Sequence, residues 1–132
     1  MAATDQSDQR AIWGVASPPL YHPSESNFGA GISVAAPGSG IYSTAFDPVT
    51  VNHTYASVSG TSMSEALVCG LAALVRSQYP AYTNAEVMKV IYSTTDPVTS
   101  DKYIGTGRVN MERALGMTSV PVAEITSKEK EN

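Results

Sequence analysis

The residue best placed to do chemistry is Ser62, within Gly60-Thr61-Ser62-Met63 at the entrance to a long apolar run. A hydroxyl at the start of a helix sits at the positive end of the helix dipole, among backbone N–H groups that have no intrahelical partner. Attack by such a hydroxyl on a carbonyl creates an oxyanion, which those donors can stabilise. Gly60 offers a place for the chain to turn sharply and approach closely. The same residues have a plainer reading. Ser62-Met-Ser-Glu65 has the spacing of a capping box. Ser62 would then be an N-cap contributing about 1 kcal/mol, with Glu65 reaching back to the backbone. Spacing alone favours the cap, because caps are common and catalytic serines are rare.

Few other side chains compete. The two histidines are His22 and His53. His53 lies between two strand-like runs and reads as an exposed loop residue, since a base must be held within hydrogen-bond reach of its nucleophile. Asp5, Asp8 and Asp47 read as solvated turn residues. Cys69 is the single cysteine, so the chain forms no internal disulfide. Placed in an apolar run, it reads as a buried, inert thiol. No calcium-type cluster is visible, and the chemistry at Ser62 needs no metal and no cofactor.

The elements that must position Ser62 follow from periodicity. From Ser62 to Gln78 the apolar residues cover nearly the whole circumference of a helix, which predicts a buried one; Pro80 marks its end. Thr83-Asn-Ala-Glu86 is a capping box opening a second helix, with Val87, Val90 and Ile91 on one stripe. Asn110 caps a short last helix, Met111 to Leu115, after the turn-rich Gly105-Thr-Gly-Arg-Val. Upstream, Ile32 to Ala36, Ile41 to Ala45 and Thr54 to Val58 read as short strands, the last two forming a hairpin around Asp47-Pro48. Ile12 to Gly31 is rich in proline and glycine and reads as loop. The tail from residue 117, ending Ser-Lys-Glu-Lys-Glu-Asn, is polar and expected to fray.

Composition bounds the partners. The 132 residues are 42% hydrophobic and 15% charged, with a formal net charge of −4, an ordinary globular balance and enough chain to bury a core. Eight Lys and Arg without clustering argue against a nucleic-acid surface. No run reaches the roughly 20 apolar residues of a membrane span. The N-terminus, Met-Ala-Ala-Thr-Asp-Gln-Ser-Asp, lacks the basic start and apolar centre of a signal peptide, so it gives no indication of localisation.

Several collinear motifs resemble those of the subtilases, the subtilisin-like serine proteases. Gly60-Thr-Ser-Met63 before an apolar helix is similar to the family's nucleophile motif, Gly-Thr-Ser-Met-Ala-x-Pro-His-Val-x-Gly. Ala3 to Ala11 resembles the segment leaving a core strand. Ser26-Asn-Phe-Gly-Ala-Gly-Ile-Ser-Val-Ala-Ala-Pro-Gly38, then Ile41-Tyr-Ser-Thr44, resemble the segment before the nucleophile. Tyr82-Thr-Asn-Ala-Glu-Val87 and Gly105-Thr-Gly-Arg-Val-Asn110 resemble the closing helix and turn. The resemblance covers residues 2 to 116 and implies part of one catalytic domain there, followed by the tail. It implies an α/β fold: the C-terminal part of a three-layer domain with a mostly parallel sheet and a buried central helix starting at the nucleophile. It places Ser62 at the catalytic serine, with its backbone N–H as one oxyanion donor, in a serine endopeptidase whose substrate is a polypeptide.

The chain also departs from the family pattern. In the family the order is Asp, His, oxyanion Asn, then Ser, and the first three precede the segment that Ala3 to Ala11 resembles. The expectation is therefore a chain inactive alone, or a non-catalytic remnant acting as an accessory module that needs an N-terminal half in trans. Ser64-Glu65-Ala66-Leu67 stands where the family has Ala-x-Pro-His, and Ile12 to Glu25 lengthens a usually short link. A parallel sheet divided in this way leaves an unpaired edge, through which the chain is expected to self-associate.

Overall fold

The computed structural model describes residues 1–14 and 24–116. The expected frayed tail, His22, and the middle of the long link with Tyr21 and its prolines lie outside the described residues.

Alanines at the start of the chain allow close strand packing. Strand β1 (Ala2–Thr4) is fully buried. The link begins and ends in two short strands, β2 (Ile12–Trp13) and β3 (Ser24–Glu25), paired antiparallel. Strand β4 (Ala35–Pro37) runs parallel to β1, with Ala2 opposite Ala35 and Thr4 opposite Pro37. Ladder pairing thus begins three residues later than the β-branched run predicts. Ile32 and Ser33 belong to a turn-linked approach, in which the Ile32 N–H donates to the Gly29 carbonyl at 2.9 Å. β5 (Ile41–Asp47) and β6 (Asn52–Val58) form the expected hairpin, each two residues or so longer than the sequence suggests. His53 is therefore on a strand and not a loop, edge-on to Phe46 at 5.8 Å between ring centroids.

Among the described residues three helices follow: α1 (Thr61–Gln78), α2 (Asn84–Ser93) and α3 (Met111–Gly116). The α2 capping box is formed, the Thr83 N–H donating to Glu86 Oε2 at 2.6 Å and the Glu86 N–H to Thr83 Oγ1 at 3.3 Å. Asn110 Oδ1 accepts from the Arg113 N–H at 2.9 Å at the head of α3. Val34 and Ala36 of the β4 segment meet Val68, Leu71 and Val75 of α1, Val87, Val90 and Ile91 of α2, and Ala114 of α3 in one core. Ala2 and Ala35 point the other way, against Ile104. The layers are those of an α/β domain: a parallel strand pair with helices on one face and, among the described residues, the 97–107 segment on the other.

Two expectations need correction. The outer edge of β1 is covered, because Ala3 gives its N–H to Ser26 Oγ at 2.8 Å and its carbonyl accepts from the Ala11 N–H at 2.9 Å. The far side of β4 is occupied as well: the Ala35 N–H donates to the Gly107 carbonyl at 2.8 Å, and the Val109 N–H to the Ala35 carbonyl at 2.9 Å. Among the described residues the strands of the β5–β6 hairpin, like those of the short β2–β3 ribbon, pair only with each other and keep their outer edges unpaired. Second, α1 is not buried all round. Ser62, Glu65, Ala66, Cys69, Gly70, Ala73 and Leu74 are exposed and follow the three-four spacing of a single helix face. The other described elements cover the opposite side. Cys69 is accordingly exposed rather than buried.

Ion pairs fasten the loops. The Arg10 guanidinium is buried between Glu25 at 3.0 Å and Asp101 at 3.1 Å, and lies 5.3 Å from the Phe28 ring centre. Arg108 pairs with Asp8 at 2.7 Å, so Asp8 is a tether and not merely a solvated turn residue. Asp96 accepts from Asn110 at 2.9 Å, Arg108 at 3.1 Å and Arg113 at 3.0 Å, and these donors, in that order of weight for the first two, hold its carboxyl below the usual range. Asp101 is lowered by Arg10, Glu86 by the Thr83 N–H and hydroxyl, and Asp47 by Thr50 and the Val49 N–H. A carboxyl with a depressed folded-state pKa contributes stability that is complete above its unfolded pKa of about 4 and is lost as pH falls through the folded value. The denaturation midpoint is therefore expected to be flat from about pH 8 to 5 and to fall below about pH 4. Asp96→Asn should make that acid decline shallower in urea titrations. An unaltered decline would mean that Asp96 contributes nothing to it.

Candidate active site

The entrance to α1 is built from three segments. Gly60 is the N-cap residue and makes no side-chain cap, so Ser62 is the second residue inside the helix. The capping box read from Ser62-Met-Ser-Glu65 does not form, because helical geometry begins one residue before Ser62. The Ser62 side chain is exposed, and its hydroxyl has no hydrogen-bond partner among the described residues. Its N–H bonds no acceptor among the described residues either; at this entrance the Met63 N–H is taken up, by the Gly60 carbonyl at 3.1 Å. A free hydroxyl thus stands beside a free donor at the positive end of an 18-residue helix. Chemically, that arrangement can present an oxygen nucleophile and stabilise a nearby oxyanion, provided a base is supplied.

Glu65 is exposed, on the same face of α1 as Ser62. It reaches no backbone donor as a cap and leaves a carboxylate beside the serine. Met63 is half-buried. His53 lies toward the far end of β6 from Gly60, and among the described residues no His, Asp or Glu hydrogen-bonds Ser62. No group of three or more His, Cys, Asp or Glu among the described residues is arranged to hold a metal ion.

Close approach occurs at a glycine other than Gly60. Gly60 is in extended backbone, φ 160°, which any residue adopts, and a Cβ there would meet only the Ser62 nitrogen at 3.9 Å. Gly38 is the crowded position. A Cβ on it would overlap Ser64 Oγ and lie 2.6 Å from Ala3 Cβ and 2.9 Å from the Gly60 carbonyl oxygen. The Gly60 N–H donates to the Gly38 carbonyl at 2.7 Å. Ser64 Oγ is buried and donates to the Ala36 carbonyl at 2.9 Å, with the Pro37 carbonyl at 3.2 Å. Asn27 Nδ2 donates to Thr61 Oγ1 at 3.3 Å. Gly38, Ser64 and Asn27 support the entrance, and none of them stands out for that role in the sequence. A glycine directly after a strand was the available signal for close backbone approach.

An α/β layer with an uncapped helix presenting an exposed serine at its second position is shared with the subtilisin-like structures on which this chain superposes. The chain belongs to the Subtilase family, whose pattern it matches over residues 3–117. It is 38% identical over 114 residues to the thermostable alkaline protease of Halalkalibacterium halodurans, covering 86% of this chain and 27% of that protein. It is 35% identical over 114 residues to subtilisin Savinase of Lederbergia lenta, covering 86% of this chain and 36% of the relative. Among solved structures, a protease from Pseudoalteromonas arctica superposes with a TM-score of 0.65 at 33% identity, over 69% of this chain and 30% of that one. MycP1 of Mycobacterium smegmatis does so with a TM-score of 0.66 at 25% identity, over 91% and 30%. The chain spans about a third of the length of these relatives. Family membership supports a serine-type protease by resemblance.

Proposed function

We propose that this chain supplies the nucleophile segment of a serine endopeptidase, with Ser62 as the attacking residue and its backbone N–H as one oxyanion donor. The observation that carries the reading is the free, exposed Ser62 hydroxyl beside a free N–H at the start of α1. A capping role, the plain alternative, is not formed there. In the mechanism, Ser62 Oγ attacks a peptide carbonyl, a His takes its proton and later protonates the leaving amine, and an Asp orients the His. The described residues bring no such His or Asp to Ser62. Those groups belong to a segment carrying the family's Asp, His and oxyanion Asn, and catalysis requires it.

The bare face of α1 supports that requirement. A stripe running from Ser62 through Ala66, Cys69, Gly70 and Ala73 to Leu74 is exposed in this chain and is the side on which such a segment would pack. Cys69 reports on it. The Cys69 thiol is expected to react readily with a thiol reagent such as Ellman's reagent in the folded chain. It should become at least tenfold slower when an upstream subtilase segment is joined or added; unchanged reactivity would place that segment elsewhere.

The activity test is cleavage of an unfolded polypeptide such as casein by that assembly. The expected result is turnover that Ser62→Ala reduces by roughly a thousandfold or more, since removing a triad member leaves only residual rate enhancement. Turnover surviving Ser62→Ala would refute the assignment.

A second reading is favoured by one specific feature. Glu65 puts a carboxylate on the Ser62 face, which opposes a developing oxyanion. On this reading the chain is a non-catalytic subtilase module that binds a partner through the same stripe, or a second copy through the open hairpin edges. Cys69 protection without turnover would select it, and Glu65→Gln restoring turnover would return the assignment to catalysis.

A further inference from the structure

We infer that Ser64 is a positioning residue for Ser62, an inference that rests on the reading of Ser62 as nucleophile. A serine within a helix ordinarily turns its hydroxyl onto its own backbone. Ser64 instead donates out of the helix to the Ala36 carbonyl of β4, with no exposed surface of its own. Two residues along a helix are about 3 Å and 200° apart. Ser64 thus fastens the back of the turn whose front presents Ser62.

The need for such a fastening is visible at the same place. The helix start has no side-chain cap, and a first turn without one frays readily. The other bonds tying it down are the Gly60 N–H to Gly38 and the exposed contact between Asn27 and Thr61. Of the side-chain bonds at this entrance, that of Ser64 to Ala36 is the buried one, and a buried bond does not exchange with water. Gly38 makes room for it: with any side chain there, Ser64 Oγ could not reach β4. The subtilase motif quoted above has Ala at this position and Pro two residues on, whereas this chain has Ser64 and Ala66. A proline stiffens the backbone from within. Here the stiffening comes from a hydroxyl anchored to the sheet.

Amide hydrogen exchange on the full chain tests this. The N–H groups of Glu65, Ala66 and Leu67 bond the carbonyls of Thr61, Ser62 and Met63, so they report the opening of the turn that carries Ser62. In Ser64→Ala their exchange should quicken at least tenfold more than that of Leu71 and Val75, which report the core. Ser64→Thr, which keeps the donor, should return it toward the wild-type rate. If Ser64→Ala unfolds the chain, Ser64→Cys, a near-isostere with a weak donor, gives the same comparison. Equal quickening along the whole helix would make Ser64 an ordinary core hydrogen bond and overturn the inference, as would no change at residues 65–67. The exchange result stands independently of catalysis, so failure of Ser62 as a nucleophile is scored separately by the casein assay.

Discussion

Gly38→Ala is expected to destabilise the chain by roughly 3 kcal/mol or more, at or beyond the upper end for overpacked sites. The added methyl would overlap Ser64 Oγ and stand 2.6 Å from Ala3 Cβ and 2.9 Å from the Gly60 carbonyl oxygen. Only the first of these belongs to a side chain that can rotate away. Ala3 Cβ is fixed by β1, and the Gly60 carbonyl by the turn into α1. Relief requires α1 to move away from the strand pair, which breaks the Gly60–Gly38 bond and the Ser64–Ala36 bond together. Urea denaturation followed by circular dichroism measures the loss. The double variant Gly38→Ala with Ser64→Ala should recover part of it, because one of the three overlaps disappears. A Gly38→Ala chain as stable as the parent would mean that α1 does not sit on β4 as described.

Gly105→Ala is expected to cost as much, for a different reason. Gly105 has φ +94°, a conformation L-residues rarely adopt. Its Cβ would overlap the Ser33 carbonyl group and lie 2.5 Å from the Val34 nitrogen, all of it backbone. This glycine lets residues 105–109 run beside the strand, where the Thr106 N–H reaches the Ser33 carbonyl at 2.9 Å and Val109 reaches Ala35. Displacing them would also uncouple Arg108 from Asp96 and Asp8. A loss of roughly 3 kcal/mol or more is expected in the same denaturation assay, from strain and overpacking combined. Gly29 is the control. It too has positive φ, +105°, but nothing lies within 4 Å of its Cβ, so Gly29→Ala should cost about 1 kcal/mol, the conformational term alone.

Much of this architecture was legible in the sequence because the signals were local. Thr83 and Glu86 carry their own reciprocal bonds, so the start of α2 could be read from four residues. Asn110 capped α3 for the same reason, and the hairpin followed from the turn signal Asp47-Pro48 between two short strand-like runs. What was not legible depended on distant segments. Ser62 to Glu65 fits a capping box by spacing, but the tie of Gly60 to Gly38 sets the helix start before Ser62 and leaves both side chains outward. The apolar circumference of α1 predicts burial all round, and its composition cannot say which side a given chain covers. Cys69 fell on the uncovered side. Gly60 was read as the close-approach glycine because it neighbours Ser62, whereas the crowding lies across the fold at Gly38. Ion pairs such as that of Arg10 with Asp101, 91 positions apart, leave no mark in local pattern.

That Ser62 is a nucleophile awaiting its base can be read out with a fluorophosphonate probe and mass mapping of the adduct. The chain would be labelled alone and together with an upstream subtilase segment bearing the Asp, His and Asn. Negligible labelling is expected of the chain alone, strong labelling of the assembly with the adduct on Ser62, and none in Ser62→Ala. A folded assembly in which Cys69 is protected yet Ser62 stays unlabelled would contradict it.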